Sequence, residues 1–182
     1  MAACPVLRCS SRDRVDSPAV TTPSTIRIRD ARPTDRDQLL ALVPRLRAFG
    51  PGPLRSVVDL DRAEHDALDA ALDSLAADAA IFVAVDERSA DQVAGVAYVL
   101  TTADYFTRES HAHLSILAVA EHAEGRGAGR ALLAAVERWA GARGHRMITL
   151  NVFADNERAR RVYERAGYSP DTVRYAKEIV PP

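Results

Sequence analysis

The stretch EGRGAGRALL at residues 124–133 constrains the fold of this chain more than any other feature. Three glycines occupy alternate positions there, although a glycine costs a helix about 1 kcal/mol relative to alanine. The preceding segment, HAHLSILAV, has the apolar character of a strand. The stretch therefore predicts a strand, a tight turn and a helix N-terminus in succession. Apolar residues recur at helical spacing after the glycines at Ala128, Ala131, Leu132, Ala135, Val136, Trp139 and Ala140.

A glycine-rich turn at a helix N-terminus favours the binding of an anion. Backbone N–H groups point outward from the first helical turn, and the helix dipole favours negative charge there. Glycines also let the backbone approach a phosphate without a Cβ clash. The stretch therefore predicts a phosphate or pyrophosphate site, with a plain tight turn between strand and helix as the alternative. The residues concerned are Gly125, Arg126, Gly127, Gly129 and Arg130.

Two common nucleotide-binding motifs do not fit this stretch. A Walker loop ends in Gly-Lys-Ser/Thr, whereas this chain has Gly129-Arg130-Ala131 and so lacks the hydroxyl that would bind magnesium. A dinucleotide fold needs an acidic residue about 20 positions further on, at the end of the next strand. That strand contains Leu150 and Asn151 instead.

The apolar patterns along the chain predict the element order βααβββαβαβ. Strands are predicted in TIRIRDA, AIFVAVD, QVAGVAYVLTT, HAHLSILAV, RMITLNVF and TVRYAKEIV. The first helix begins at a capping-box-like TDRD and is broken near Pro44, and the last helix ends before Gly167. An antiparallel meander followed by a β-α-β unit predicts a mixed α/β fold, with a central, mostly antiparallel sheet and helices on both faces.

Composition limits the functions open to this chain. Its 182 residues suit a tail at residues 1–24, predicted to be disordered, and a single domain at residues 25–182. A net charge of −1 gives no general attraction to nucleic acid or membrane, and no apolar run approaches the roughly 20 residues of a membrane span. The N-terminal stretch does not read as a leader, and Cys4 and Cys9 lack partners for a zinc site. We therefore expect a cytoplasmic protein without a metal.

Two motifs together resemble one family. The segment LAVAEHAEGRGAGRALL resembles the acyl-CoA-binding motif of the GNAT superfamily of N-acetyltransferases. The segment LNVFADNERARRVYERAGY is similar to the second motif of the same superfamily, in which a strand is followed by Asn, an alanine three residues later, a tyrosine seven residues later and Gly-aromatic. The resemblance implies acetyl-CoA as co-substrate and a parallel strand pair that splays apart to admit it.

The resemblance also implies a role for each matched residue. The strand before the glycines would pair its backbone with the pantetheine arm, and the N–H of Val119 would polarise the thioester carbonyl. Asn156 would hydrogen-bond the pantetheine region, and Tyr163 would protonate the leaving thiolate. The alternative for Tyr163 is a core aromatic on the apolar face of its helix. The implied cofactor-binding residues are Leu117, Ala118, Val119, Gly125, Arg126, Gly127, Ala128, Gly129, Arg130 and Asn156.

Two positions depart from the family pattern. Glu124 stands where Arg or Gln is usual, and a carboxylate near a pyrophosphate is unfavourable unless it points away. Asn151 stands where many members use Glu as general base, and an amide cannot take that role. His111 and His113 share one face of their strand, and imidazole has a suitable pKa for proton transfer near neutrality. We expect His113 to be the base, with a purely structural histidine pair as the alternative.

Charge indicates the class of acceptor. Residues 59–78 contain seven acidic residues and one arginine, and the resemblance implies that this region borders the acceptor pocket. An acidic border suits a cationic amine, with a solvated helix face as the alternative for most of these residues, and the loop AFGPGPLRSVVD could act as a lid over a small amine. The alternatives are lysine or N-terminal amines of proteins, or a non-catalytic acyl-CoA-binding module; a homodimer is left open. The acidic residues are Asp59, Asp61, Glu64, Asp66, Asp69, Asp73 and Asp78.

Overall fold

A five-stranded sheet forms the centre of the computed structural model, which describes residues 25–47, 54–89 and 92–179. Neighbouring strands follow chain order; the first four pair antiparallel, and the last two pair in parallel. This mixed, mostly antiparallel sheet confirms the predicted fold class. The strands are β1 (Ile26–Asp30), β2 (Ala79–Asp86), β3 (Val93–Ala103), β4 (Ser110–Val119) and β5 (Ile148–Leu150).

Four α-helices and three 3₁₀ turns accompany the strands in the described part of the chain. The helix that follows the glycines is confirmed, and so is the helix that carries Tyr163. Within the described residues, no helix has the length and hydropathy that a bilayer span requires. The helices are α1 (Arg36–Leu40), α2 (Val57–Asp73), α3 (Ala128–Ala142) and α4 (Glu157–Arg165), and the 3₁₀ turns are Pro33–Asp35, Val43–Arg47 and Glu121–Ala123.

The two faces of the sheet carry different neighbours. A Cβ on Gly95 would lie 3.1 Å from Leu132 of α3, so the odd-numbered residues of β3 face α3. His113 is paired with Leu100, an even-numbered position of β3, and His111 shares its face. The two histidines therefore lie on the sheet face opposite α3. The largest fully buried side chains include Leu39, Leu68, Val83, Val85, Val96, Val99, Ile116, Leu132, Leu133 and Val136.

The start of α1 differs from the predicted capping box. Asp35 organises it: its carboxylate accepts the backbone N–H of Arg32 at 2.7 Å and two guanidinium N–H groups of Arg29 at 2.6 and 2.8 Å. The bond from Arg29 is the main cause that lowers the pKa of the Asp35 carboxyl. The helix is interrupted as predicted, because the chain continues as a 3₁₀ turn around Pro44.

The closing strand predicted in TVRYAKEIV is wrong for the described residues 172–179, which form no strand. Val173, Tyr175 and Ile179 are 72%, 90% and 77% exposed. The alternation that suggested a strand indicates a face suited to burial, but no strand of the same chain is paired with it. The predicted tail at residues 1–24, with both cysteines, and residues 48–53 of the predicted lid lie outside the described residues.

Candidate functional site

Two of the three glycines before α3 adopt a backbone conformation that side chains disfavour. Gly125 has a φ of +72° and Gly127 a φ of +87°, and Gly127 directly precedes the helix. In this left-handed region a Cβ approaches the following carbonyl oxygen, which costs about 1–2 kcal/mol. The glycines are therefore required by the sharp turn that links the Glu121–Ala123 turn to α3.

The first turn of α3 presents free backbone donors. Ala131 is the first residue whose N–H reaches a carbonyl of the helix, that of Gly127 at 3.0 Å. The N–H groups of Ala128, Gly129 and Arg130 precede it and have no intrahelical acceptor. Together with the helix dipole, these donors supply the polarity that the predicted anion site requires.

The third glycine serves a different purpose. Gly129 lies in the helix, and a Cβ there would contact Cγ2 of Val119 at 3.5 Å. This is an ordinary van der Waals distance, so the fold itself tolerates a side chain at this position. The missing side chain keeps space open between the start of α3 and the end of β4.

Arg126 binds within the protein instead of pointing at the anion site. Its guanidinium lies 2.5 Å from the fully buried carboxylate of Asp86 at the end of β2. Its backbone N–H donates to the carbonyl of Ala123 at 3.3 Å. Arg126 therefore fastens the glycine loop to the sheet, whereas Arg130 is exposed on the first turn of α3.

Glu124 connects three segments around the glycine loop. Its carboxylate accepts a hydrogen bond from Arg45 of the Val43–Arg47 turn and another, at 2.6 Å, from Arg158 in the first turn of α4. The bond from Arg158 is the main cause that lowers the pKa of the Glu124 carboxyl. The unusual carboxylate thus points at two arginines, which offset its charge beside the predicted anion site.

A β-bulge separates β4 from β5. Ile116 is opposite Tyr98 and Leu114 is opposite Val99, so Ser115 is an extra residue in β4. Pairing with β5 ends at Leu114, whereas β4 continues for five residues, to 119. The parallel pair therefore opens into a slot, as the resemblance implies.

The bulge also reverses the direction in which the backbone groups of β4 point. Before it, Ala112 donates its N–H toward β5 at 3.1 Å; after it, Ala120 donates toward β3 at 2.9 Å. Because successive residues alternate, Leu117 and Val119 direct their N–H and C=O groups into the slot. Ala118 directs its carbonyl at Gly95 of β3 and so differs from its two neighbours.

Helix α4 carries the other two predicted residues, Asn156 at its N-cap and Tyr163 in its body. The side-chain oxygen of Asn156 accepts the N–H of Ala159 at 2.9 Å and caps the helix, a role the sequence analysis did not identify. Its amide hydrogens are not used in that bond. Gly167 ends the helix with a φ of +91°, as predicted, and the N–H of Tyr168 donates to the carbonyl of Tyr163 at 3.0 Å.

Tyr163 and Tyr168 pack together at partly buried positions. Their ring centroids are 6.0 Å apart in an edge-to-face arrangement. Burial raises the pKa of the Tyr163 phenol, and burial chiefly raises that of Tyr168 to about 12. Both phenols therefore remain protonated near neutrality and can act only as proton donors in their resting state.

The two histidines meet at one hydroxyl. Thr149 of β5 is paired with His113, and its Oγ1 lies 2.8 Å from Nδ1 of His113 and 3.0 Å from Nε2 of His111. His111 is buried and His113 is half-buried. Burial, and then the neighbouring His111, lowers the pKa of His113, which keeps the ring neutral near pH 7 and able to accept a proton.

A small cleft borders the acidic region of α2. Its apolar lining comes from Val43, Leu46, Leu60 and Phe153. Arg47, Asp61 and Glu64 also line it; Arg47 lies 2.8 Å from Asp61, and burial raises the pKa of the Glu64 carboxyl. Within the part of the chain that the structure describes, no ion pair neutralises Glu64.

Comparison with known proteins identifies the family. The sequence profile of the Acetyltransferase (GNAT) family matches residues 52–168. The chain belongs to the GNAT acetyltransferase family. GNAT proteins are N-acetyltransferases that use acetyl-CoA as co-substrate.

Individual relatives agree with this assignment. The N-acetyltransferase YhfO of Bacillus subtilis (strain 168) is 42% identical over 59 residues, which span 32% of this chain and 40% of that protein. A solved structure from Pyrococcus furiosus, described as a candidate acetyl transferase, is 26% identical with a TM-score of 0.68 and matches 85% of this chain and 99% of its own.

Two more distant structures share the fold. Glucosamine-6-phosphate N-acetyltransferase from Arabidopsis thaliana is 20% identical, with a TM-score of 0.61, and the match covers 86% of this chain and 99% of that one. The aminoglycoside acetyltransferase meta-AAC0020 from an uncultured soil metagenomic sample is 14% identical, with a TM-score of 0.58, and the match covers 87% and 99%.

The described residues fit acetyl-CoA, the co-substrate of the GNAT family. The free N–H groups of α3 match the charge of a diphosphate. The open edge of β4 offers alternate N–H and C=O groups to the amides of a pantetheine arm, as a neighbouring strand would. The space kept by Gly129 lies where these two surfaces meet.

The sequence analysis missed two residues of this candidate site and did not single out a third. Arg45 binds Glu124 across 79 residues of chain, and Thr149 reaches the histidines only through the register of β4 and β5. Glu64 was one of seven similar acidic residues, and only its burial distinguishes it. A sequence pattern carries no signal for these long-range contacts. Among the described residues, no cluster of three or more potential metal ligands is present.

Proposed function

We propose that this protein transfers the acetyl group of acetyl-CoA to the primary amine of a small cationic acceptor. One observation carries the proposal: the outward backbone groups of Leu117 and Val119 lie beside the free N–H groups of α3. A single extended ligand can therefore bind the strand edge with its amides and the helix N-terminus with its phosphates. Gly125, Gly127 and Gly129 shape the second contact.

The proposed reaction is a direct attack of the amine on the thioester. His113 takes a proton from the ammonium group, because only a neutral amine is nucleophilic. The nitrogen then bonds to the acetyl carbonyl carbon while the N–H of Val119 stabilises the charge on the carbonyl oxygen. As the carbon–sulfur bond breaks, Tyr163 donates its phenolic proton to the thiolate, and the second proton of the attacking nitrogen, lost as the amide forms, restores the phenol. Asn156 holds the pantetheine arm through its amide hydrogens.

The cleft at α2 supports the acceptor class. Glu64 is a partly buried carboxyl without a cationic partner in the described structure, and apolar residues such as Leu60 and Phe153 line the space beside it. An alkyl ammonium would supply the missing charge and bury its carbon chain. A protein substrate is the second candidate; a buried carboxyl in a small cleft favours the first.

An amine screen tests this function. The protein is incubated with acetyl-CoA and a panel that contains polyamines, amino sugars, aminoglycosides and lysine peptides, and free thiol is followed with a chromogenic disulfide. Amino sugars and aminoglycosides belong in the panel because two similar structures carry those names. We expect thiol release with a small polycation. Release with peptides alone would favour the protein substrate, and binding of acetyl-CoA without release would favour the non-catalytic module.

We also propose that the protein is a homodimer. The segment at residues 172–179 exposes an alternating apolar face, and β5 is an edge strand of the described sheet. An edge strand and an unpaired extended segment complement each other. In a two-fold dimer the segment of each copy would cover the edge of β5 in the partner copy. One symmetric contact would then bury both apolar segments and pair both strand edges.

A further inference from the structure

The hydroxyl of Thr149 cannot donate a hydrogen bond to both histidines at once. It lies within hydrogen-bond distance of Nδ1 of His113 and Nε2 of His111, yet it carries only one hydrogen. If that hydrogen points at His113, Nε2 of His113 bears the ring hydrogen and cannot take a proton. If it points at His111, Nδ1 of His113 donates to Thr149, and Nε2 of His113 keeps its lone pair.

The proposed role of His113 selects the second arrangement, because a general base needs a free lone pair on the nitrogen that faces the substrate. Nδ1 of His111 is buried and has no hydrogen-bond partner among the described residues, so the hydroxyl of Thr149 is the polar group that holds this ring. When the hydroxyl donates its hydrogen to Nε2 of His111, its oxygen accepts the hydrogen on Nδ1 of His113.

We infer that Thr149 is a positioning residue that holds His113 as its Nδ1–H tautomer. The inference rests on the proposed role of His113 as general base and adds the reason why Nε2, and not Nδ1, takes the proton of the ammonium group. Because one hydroxyl links both rings, the tautomers of His111 and His113 are coupled. A ring nitrogen held in this way keeps its lone pair in a fixed direction during each turnover.

Nitrogen-15 NMR of the imidazole rings tests the inference directly. The full-length protein is compared with Thr149→Val, which keeps a β-branched side chain in β5, and Thr149→Ser, which keeps the hydroxyl. We expect a hydrogen on Nδ1 of His113 in the wild type, loss of that preference in Thr149→Val and its return in Thr149→Ser. Signals are assigned with His113→Gln.

Kinetics with an identified amine supply the second readout. We expect kcat of Thr149→Val to fall by roughly tenfold or more, with the KM for acetyl-CoA unchanged and Thr149→Ser close to wild type. Thr101→Val is the matched control, since Oγ1 of Thr101 lies 3.0 Å from Nε2 of His145 on the sheet face that carries α3. This control removes a threonine–histidine bond without touching the proposed base.

The possible failures are distinguishable. A wild-type ring with its hydrogen on Nε2 of His113, or the same tautomer in Thr149→Val as in the wild type, overturns the inference. The wild-type spectrum decides this even if Thr149→Val does not fold. Full turnover by His113→Ala would instead remove the proposed base, whereas the tautomer measured by NMR would still decide what Thr149 does.

Discussion

At the scale of single residues, Tyr163 is the test of the proposed general acid. Its phenol has a raised pKa because of burial, so it is protonated when the thiolate leaves. Tyr163→Phe keeps the ring and its packing, and we expect kcat to fall by roughly 10²-fold or more. Because the proton is needed only as the thiolate forms, the affinity for acetyl-CoA measured by calorimetry should stay nearly unchanged.

Tyr168→Phe is the matched control for this prediction. Its hydroxyl is buried without a hydrogen-bond partner in the described structure, and its ring packs against Tyr163. Loss of this hydroxyl should leave kcat close to wild type. Full turnover by Tyr163→Phe would return Tyr163 to the role of a core aromatic, with water as the proton donor.

Glu124 is the second residue with a measurable role. Its carboxylate binds Arg45 and Arg158, which lie close to the predicted phosphate site. Glu124→Gln removes the negative charge and leaves both guanidinium groups available to an anion. We expect acetyl-CoA to bind roughly two- to fivefold more tightly at low salt, as measured by calorimetry, with the gain lost at high salt.

A second glutamate in the same loop provides the comparison. Glu121 is exposed and lies 3.9 Å from Arg45, so Glu121→Gln changes the same net charge without breaking a hydrogen bond. Its affinity for acetyl-CoA should stay near the wild-type value. Weaker binding by Glu124→Gln would show that the carboxylate is needed to orient Arg158 toward the co-substrate.

At the scale of elements, a substitution in the first turn of α3 should have opposite effects on stability and on acetyl-CoA binding. Gly129→Ala should raise the melting temperature slightly, since alanine is favoured over glycine in a helix by about 1 kcal/mol. The added methyl group occupies the space beside Val119 and keeps a phosphate away from the N–H donors. Loss of one charge-assisted hydrogen bond predicts acetyl-CoA affinity that is weaker by roughly tenfold or more.

Gly141→Ala is the control at the other end of the same helix. A Cβ at Gly141 meets nothing within 4 Å, so this variant should gain stability and bind acetyl-CoA as the wild type does. Gly127 is less suitable, because a side chain at its φ of +87° would strain the backbone. Equal affinity in the two alanine variants would move the phosphate site away from α3.

The elements also show what sequence reasoning can reach. Local patterns predicted β1 to β4, the glycine turn, α3 and the end of α4 at Gly167, because periodicity and turn chemistry are short-range. The bulge at Ser115 depends on the register of β3 and β4, which one sequence does not encode locally. The prediction of a closing strand was wrong for a related reason. Alternation predicts that one face of a segment is buried, but it does not show which strand would pair with that segment.

At the scale of the whole molecule, the exposed C-terminal face predicts the oligomeric state. We expect sedimentation velocity to show a dimer for the wild type. Tyr175→Asp places a charge on the apolar face of the segment and should yield a monomer. Ala176→Asp places the same charge on the opposite face of an extended chain and should leave the dimer intact.

Other results would contradict the proposed dimer contact. A monomeric wild type at all concentrations would exclude it. Dimers that resist Tyr175→Asp would place the contact elsewhere on the surface. Chemical cross-links between β5 and residues 172–179 of isotopically distinct copies, identified by mass spectrometry, would locate it.

The bulge in β4 has a consequence for how such proteins should be compared. The side chain of Ser115 is exposed, and many residue types would serve in its place. What matters is that it is bulged: if Ser115 took an ordinary position in the strand, every later position would exchange direction, so that Leu117 and Val119 would address β3 while Ala118 faced the gap. An alignment matches the same residues in both cases, although only the bulged strand offers the backbone groups of Leu117 and Val119 to a ligand.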